Sequence, residues 1–375
     1  MTRYKRNMSN SERRAYRRRK KLIRKIQVYS EITVITLAII VVGGLIISHF
    51  KSNDDTLTVA AEETQSEQET ASAEESTGLR ISSTKTEPQE EVKEEKEPEE
   101  KKQASGTYSA KETDSTVEIG GEVVSEYAIL INNDTKEVVG KRNANEKIVP
   151  ASMTKVMTVL VAAKHLSADQ LNEVVTMSHE AIDYSYAGGG STSGFVEDEE
   201  VTVKDLFYGT ILPSGGDAAA QLAMYTAGDI DTFVGMMNDE AAELGLTNTH
   251  FTNPVGFHSS EHYSTPYDIS IIMMAALDNE LCREVLTTKV YNSSGTNINP
   301  DGITISNWFL RRIEDKDIGG EILGAKTGYV DESGSCAVSS MTSASGAEYI
   351  CCTAKSSSSW RCIYDHVDIY KTYAK

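Results

Sequence analysis

A serine and a lysine one helical turn apart, Ser152-Met-Thr-Lys155, are the residues of this chain whose types and spacing best suit nucleophilic chemistry. A serine hydroxyl is a weak nucleophile that needs an adjacent base, and a lysine in an apolar setting can lose its proton and become one. The setting here is apolar. Pro150-Ala151 precedes the serine, and Val156-Met157-Thr158-Val159-Leu160-Val161-Ala162-Ala163 follows the lysine, a run of helical length. A helix starting near Ser152 puts both side chains on one face, because residues i and i+3 are neighbours there. The same spacing recurs in Ser82-Ser-Thr-Lys85, inside a polar tract that cannot build a site. Alone, Ser152 suits an N-cap and Lys155 an ordinary helical lysine equally well, so the rest of the chain must decide.

A second string, Gly324-Ala325-Lys326-Thr327-Gly328-Tyr329, leads into two strand-like segments, Ser335–Ser339 and Glu348–Ala354. Ser343-Ala-Ser-Gly346 between them is good turn chemistry. On a strand, Lys326 and Thr327 offer a fixed cation and a hydroxyl to a substrate carboxylate. Between these strings lies Leu212-Pro213-Ser214-Gly215-Gly216-Asp217-Ala218-Ala219, a polar loop running into an apolar helix. The order S-x-x-K, S-D-N, K-T-G belongs to enzymes that form acyl-serine intermediates with penicillins.

At these residues the segment from Ala128 to about Tyr373, some two-thirds of the chain, resembles the serine-type D-alanyl-D-alanine carboxypeptidases, the low-molecular-mass penicillin-binding proteins. Further matches are Thr252-Asn-Pro-Val-Gly256, His262-Tyr-Ser-Thr265 with Asp268, Asn307 ahead of the third motif and Gly334-Ser-Cys336 behind it. The resemblance implies an α+β, β-lactamase-like fold with the site in a cleft between a sheet and a helical lobe. It implies Ser152 as nucleophile and Lys155 as base, with Ser214 passing a proton to the leaving group. Lys326, Thr327, Gly328 and Tyr329 are implied as the substrate-binding strand, and the backbone N–H groups of Ser152 and Tyr329 as the oxyanion hole. The substrates implied are peptidoglycan stem peptides ending in D-Ala-D-Ala, with β-lactam antibiotics as inhibitors. One departure stands out. The middle motif of the family is Ser-x-Asn, and Gly216 replaces the asparagine that hydrogen-bonds near the lysine and the substrate peptide. Asp217 is offset by one and does not inherit that role. Either a water or another side chain fills the gap, or the site is impaired.

Three other readings compete. A class A β-lactamase also needs a deacylating Glu-x-x-Leu-Asn segment between the second and third motifs, which is absent; Glu243-Leu-Gly-Leu246 lacks the pattern. A catalytically impaired, penicillin-binding scaffold is left open by Gly216. Endopeptidase or transpeptidase activity on cross-linked peptides is the nearest enzymatic alternative. Blander readings suit several tempting residues. Thr265-Pro266 reads as a helix cap, His258 and His262 as structural loop residues, and Trp308-Phe309 as core. Gly188-Gly-Gly190 with Ser191-Thr-Ser193 reads as a flexible loop, which by resemblance borders the substrate groove.

Charge divides the rest. Residues 1–50 carry twelve Lys or Arg against two acids, residues 51–115 carry eighteen acids against eight bases, and the remainder holds 36 acids against 17 bases. An acidic enzyme segment argues against nucleic acid as a partner, since that binding depends on basic neutralisation of phosphates. The basic segment precedes Ile32 to Ser48, seventeen residues without an ionisable group, about 26 Å as a helix and enough for a thin bilayer. A basic segment at 1–30, an uncleaved transmembrane anchor at 31–50, a disordered acidic linker at 51–116 and the enzyme at 117–375 are therefore expected. The N-terminus would be cytoplasmic and the enzyme outside a bacterial membrane. The linker's reach as a coil is about 45 Å. The chain stops soon after Tyr373, so the small C-terminal β domain of many relatives is expected to be missing.

Five cysteines, Cys282, Cys336, Cys351, Cys352 and Cys362, make no disulfide framework and read as buried thiols. No Cys/His spacing resembles a zinc site, and neither metal nor cofactor is expected. A strand pair at Ala128–Asn132 and Glu137–Lys141, a helical block from about Val203 to Thr288 and closing strands around Lys326, Cys336 and Cys351 suggest one antiparallel sheet plus a helical lobe. N-terminal sequencing of the mature protein tests the anchor. The basic segment should still be attached, and a mature start near Ala61 would mean a cleaved, secreted form instead.

Overall fold

The structure, a computed structural model, describes residues 108–375. The basic segment, the expected anchor and residues 51–107 of the expected linker lie outside them. Among the described residues no helix is long and apolar enough to cross a membrane.

The chain opens with β1 (Lys111–Glu118), then the hairpin β2 (Tyr127–Asn132) and β3 (Glu137–Arg142). A 3₁₀ turn at Ala151–Met153 leads into α1 (Thr154–His165). Then come β4 (Val174–Thr176), α2 (His179–Ala187), β5 (Glu200–Thr202), α3 (Val203–Ile211), α4 (Gly216–Ala227) and α5 (Ile230–Glu243). After a long loop follow α6 (Pro266–Asp278), α7 (Glu280–Thr287), β6 (Val290–Asn292), β7 (Thr304–Ser306) and the short α8 (Leu310–Ile313). The chain closes with β8 (Gly320–Val330), β9 (Gly334–Ser343), β10 (Glu348–Ser356) and α9 (Ser359–Tyr373).

Six strands form one sheet in the order β1-β3-β2-β10-β9-β8, so β8, which carries Lys326-Thr327-Gly328, is an edge strand. Every neighbouring pair is antiparallel except β1 with β3, which is parallel. That corrects the expectation of a purely antiparallel sheet. It also moves the domain boundary: β1 begins at Lys111, inside the segment whose composition reads as linker. The physical reason is that seven of its eight residues are exposed, so nothing apolar marks it in sequence. Backbone pairing with β3 and the Thr116 hydroxyl, donating to the Val138 carbonyl at 2.6 Å, hold it instead.

The central strands are buried on both faces, and their period-2 alternation divides the core in two. Ile129, Ile131, Val338, Ile350 and Cys352 point toward the helical lobe. Ala128, Leu130, Ala337, Met341 and Cys351 point toward α8 and α9. Helix α1 is buried continuously from Thr154 to Ala162, as a helix that is apolar all round must be. Caps set the other helix starts. Thr265 Oγ1 accepts from Asp268 N at 2.9 Å with Pro266 in the first turn, as expected, and Thr202 with Asp205 forms a capping box on α3. All five cysteines are buried free thiols.

The α9 layer is pinned by one buried carboxylate. Asp365 accepts from Val124 N and Ser125 N, both at 3.0 Å, from the Ser125 and Ser356 hydroxyls at 2.5 and 2.9 Å, and from Arg361 Nε at 2.9 Å. Removing one partner of such a network strands the others without water. Asp365→Ala should therefore lower unfolding stability by about 3–5 kcal/mol, read by denaturant melts, and a loss under 1 kcal/mol would contradict this account.

Candidate active site

Ser152 sits in the 3₁₀ turn at the head of α1, held from two sides. Gly256 has φ +95°, and a Cβ there would fall on the Ala151 carbonyl. A Cβ on Gly328 would lie 2.9 Å from Ser152 N and 2.8 Å from Cys336 Sγ. The glycine of the third motif is thus a close-approach position that lets β8 lie against the Ser152 backbone. Ala151 itself has φ +47°, which an alanine adopts only when its surroundings enforce it.

One turn on, Lys155 is fully buried, with Nζ 2.8 Å from Ser152 Oγ and donating to the Val255 carbonyl at 2.7 Å. Burial, with the nearby Lys326 charge, pushes its pKa well below the lysine range. Nζ donates to both oxygens, and an amine that has lost its proton would keep the Val255 bond and present its lone pair to the Ser152 hydroxyl. The loop that supplies the carbonyl is built by Asn253, whose Oδ1 accepts from Val255 N, Gly256 N and Phe257 N at 3.2, 2.7 and 2.9 Å. Thr158 Oγ1 donates to Pro254 O at 2.6 Å. His262 fastens the same loop to α1. Thr252 N donates to its Nδ1 at 3.1 Å, so Nε2 carries the proton toward Thr154 Oγ1 at 2.8 Å. Burial lowers its pKa to about 4, which keeps it neutral and structural, as expected. His258 is a solvent-facing loop residue with Glu332 4.0 Å away.

Across the cleft Lys326 is also buried, with Nζ donating to Ser214 Oγ at 2.8 Å and to Thr327 O at 2.7 Å. Burial brings its pKa down to about 7. Ser214, like Ser152, is half-buried, and it has φ +64°. Thr327 is half-buried, while the Tyr329 ring is exposed with its hydroxyl donating to Asp331 Oδ1 at 2.9 Å. Asn307 pins the strand from behind: its Nδ2 donates to Ala325 O at 2.9 Å, and its Oδ1 accepts from Phe309 N and Leu310 N. Phe309 is core, as expected, whereas Trp308 is only partly buried, packed against Arg312 with Cζ 4.0 Å from the ring centre.

Gly216 opens α4, and its N–H donates to Ser191 O at 2.7 Å. Asp217 is buried but faces away from Gly216's role. Its Oδ1 accepts from Ser193 N and Ala218 N, both at 2.8 Å, and its Oδ2 has no partner among the described residues. Burial raises its pKa. These contacts clamp residues 191–193 onto the second motif, so the glycine-serine loop is tied to the site more firmly than its composition suggests. Sequence reasoning missed α2 altogether, and with it Ser185, a buried serine whose hydroxyl lies beside Gly216. The available signal was Ser178 three residues ahead of Ala181, a capping position its side chain does fill.

The structure thus brings Ser152, Lys155, Ser214, Gly216, Lys326, Thr327 and Gly328 to one cleft between sheet and helical lobe. Residues 110–353 match the Peptidase S11 family, described as D-alanyl-D-alanine carboxypeptidase. Among curated relatives, D-alanyl-D-alanine carboxypeptidase DacF of Bacillus subtilis is 37% identical over 180 residues, 47% of this chain and 44% of that protein. DacC of Escherichia coli is 38% identical over 157 residues, 40% of this chain and 38% of its own length. The chain thus spans less than half the length of these two. The D-alanyl-D-alanine carboxypeptidase of Streptomyces strain K15 is 32% identical over 247 residues, 64% of this chain and 83% of that one. The crystal structure of the Streptomyces K15 DD-transpeptidase superposes with a TM-score of 0.61 at 29% identity, covering 68% of this chain and 98% of the other.

The charge of Lys326 carries a pH dependence. With its pKa at about 7, the free site holds the cation below that pH and loses it above. Affinity for a ligand bound through a carboxylate should fall as pH rises through about 7, by up to about tenfold per unit. The same ligand with its carboxylate amidated should bind weakly and show no such fall. Equal pH profiles for the two would show that Lys326 is not the carboxylate's partner.

Proposed function

Because this chain belongs to the D-alanyl-D-alanine carboxypeptidase family, we propose that it removes the terminal D-Ala from peptidoglycan stem peptides through an acyl-enzyme on Ser152. The observation that carries this is the buried Lys155 amine, held 2.8 Å from the Ser152 hydroxyl with its pKa well below the lysine range. Lys155 takes the hydroxyl proton as Ser152 Oγ attacks the carbonyl of the penultimate D-Ala. The tetrahedral oxyanion is received by the backbone N–H groups of Ser152 and Tyr329, where a lost donor typically costs about 3–4 kcal/mol. Collapse breaks the peptide bond, and the departing D-Ala nitrogen receives its proton through Ser214, whose Oγ lies 2.8 Å from Lys326 Nζ. Lys326 and Thr327 hold the terminal carboxylate, with Gly328 and Tyr329 on the same edge strand. Water then hydrolyses the ester. Penicillins, with a strained amide and a carboxylate, enter the same sequence and stall as acyl-enzymes.

The setting belongs to the same reading. A basic cytoplasmic segment, an anchor at 31–50 and an acidic spacer would hold the enzyme outside the bacterial membrane, within reach of its wall substrate. The acceptor of the acyl group is a second question. The Streptomyces K15 relative is named a carboxypeptidase as a sequence and a DD-transpeptidase as a structure, which favours testing an amine alongside water.

Fluorescent penicillin should label the wild type at Ser152 and leave Ser152→Ala unlabelled. Lys155→Ala should slow acylation at least about a thousandfold, the scale of losing a general base. D-Ala should be released from a peptide ending in D-Ala-D-Ala, and added amine acceptor should divert part of the acyl group if transpeptidation occurs. Labelling without D-Ala release would replace the carboxypeptidase by a penicillin-binding scaffold. An adduct mapped to another residue would end the assignment of the nucleophile.

A further inference from the structure

The second motif lacks a side chain at Gly216, and the space it leaves is not empty. A Cβ built on Gly216 would lie 2.5 Å from Ser185 Oγ, 3.2 Å from Ser185 Cβ and 3.1 Å from Val255 Cγ1. Ser185 is fully buried near the end of α2. Its hydroxyl donates to the Ser191 carbonyl at 3.0 Å, the same carbonyl that accepts from Gly216 N at 2.7 Å. Its own carbonyl accepts from Gly190 N at 2.8 Å. One buried serine therefore joins α2, the loop at 188–193 and the first residue of α4. A buried hydroxyl is costly unless its hydrogen bonds are made, and this one is held as a donor with its oxygen turned toward Gly216.

We propose that Ser185 and Gly216 are a matched pair, in which the Ser185 hydroxyl fills the space of a side chain at 216 and positions the second motif against the Val255 loop. The proposal rests on the acyl-serine reading above. The polar atom beside the motif is supplied from α2 rather than from α4. Val255 links the pair to the chemistry, because its side chain bounds the Ser185–Gly216 space while its carbonyl accepts from Lys155. Ser185 is thus a positioning residue, acting on the reacting atoms through Val255 and through the Ser191–Gly216 hydrogen bond. An asparagine placed at 216 cannot simply resume its role in the family. It must first displace Ser185, and Ser185 Cβ and Val255 Cγ1 leave little room to do so.

The experiment is a variant series on the full-length chain: Ser185→Ala, Gly216→Asn, and Gly216→Asn with Ser185→Gly. Each is read by the acylation rate constant at saturating penicillin, the apparent penicillin affinity, D-Ala release and thermal melting. Ser185→Ala adds no atoms and should fold. Its saturating acylation rate should fall about tenfold, the scale of one buried hydrogen bond, with little change in apparent affinity. Gly216→Asn alone should lose at least as much, and Ser185→Gly in that background should restore the rate to within about threefold of wild type. A Gly216→Asn variant that equals or exceeds wild type with Ser185 intact overturns the pair. So does a Ser185→Ala variant that acylates at the wild-type rate, or a fall confined to melting temperature. If the wild type labels but releases no D-Ala, the carboxypeptidase reading fails while the acylation series still decides the pair. If the wild type does not label at all, both fail.

Discussion

Two lysine side chains buried on facing sides of one cleft set the terms for everything around them. Taking an ammonium out of water costs several kcal/mol even after the protein relaxes, and Lys155 and Lys326 are both fully buried. Their charges also oppose each other, since Lys326 adds to the burial that lowers Lys155. Burial and this repulsion favour loss of the Lys155 proton, and burial alone brings Lys326 down to about 7. In the proposed mechanism these are the states required: an amine free to take a proton from Ser152, and a cation recovered when a carboxylate arrives. The apolar run after Lys155 is then more than packing. It is the low-dielectric wall that pulls the Lys155 pKa down.

Backbone strain lies next to both hydroxyls. Ala151, immediately before Ser152, and Ser214 itself both have left-handed φ angles, at +47° and +64°. Each such residue costs about 1–3 kcal/mol unless its surroundings over-determine it. Ala151 is enclosed between Gly256 and Gly328, two places where a side chain would collide with the turn. Ser214 is held by Lys326 Nζ on its oxygen and by Gly215 N donating to Gly209 O at 2.9 Å just after it. The two kinks lie at or beside the hydroxyls that contact Lys155 and Lys326, each at 2.8 Å, so this strain falls where the chain meets the two buried lysines.

Ser152, Lys155 and the third-motif strand were legible because each couples an unusual polar residue to a strong periodic element. Lys155 interrupts an apolar helix, and Lys326 sits beside alternating strands that pair as Lys326↔Val338 and Thr353↔Ala337. The hairpin of β2 and β3 was readable for the same reason. What was not readable lacks that coupling. Strand β1 is exposed and looks like linker. Strands β4 to β7 are three residues each, too short for alternation to register. Helix α2 is nine residues long, with Ala181 and Ser185 its only buried positions. A serine that acts by filling space beside another element's glycine leaves no spacing pattern at all.

That last case bears on how a motif should be carried from one chain to another. A motif position records where a family usually places a group, but the site requires an atom at a point in space rather than a residue at a point in sequence. Here the point beside the start of α4 is reached by Ser185 Oγ from a different helix, and the glycine that looks like a defect is what admits it. Either residue alone reads as neutral or damaging: a buried hydroxyl away from the three motifs, or a missing carboxamide. Together they are consistent, because a Cβ at 216 would lie 2.5 Å from the Ser185 hydroxyl oxygen where it now stands. Whether a departure from a motif impairs a site is therefore decided by what occupies the vacated volume and whether its hydrogen bonds are made, and in this cleft the occupant is polar, buried and bonded to the same carbonyl as the motif itself.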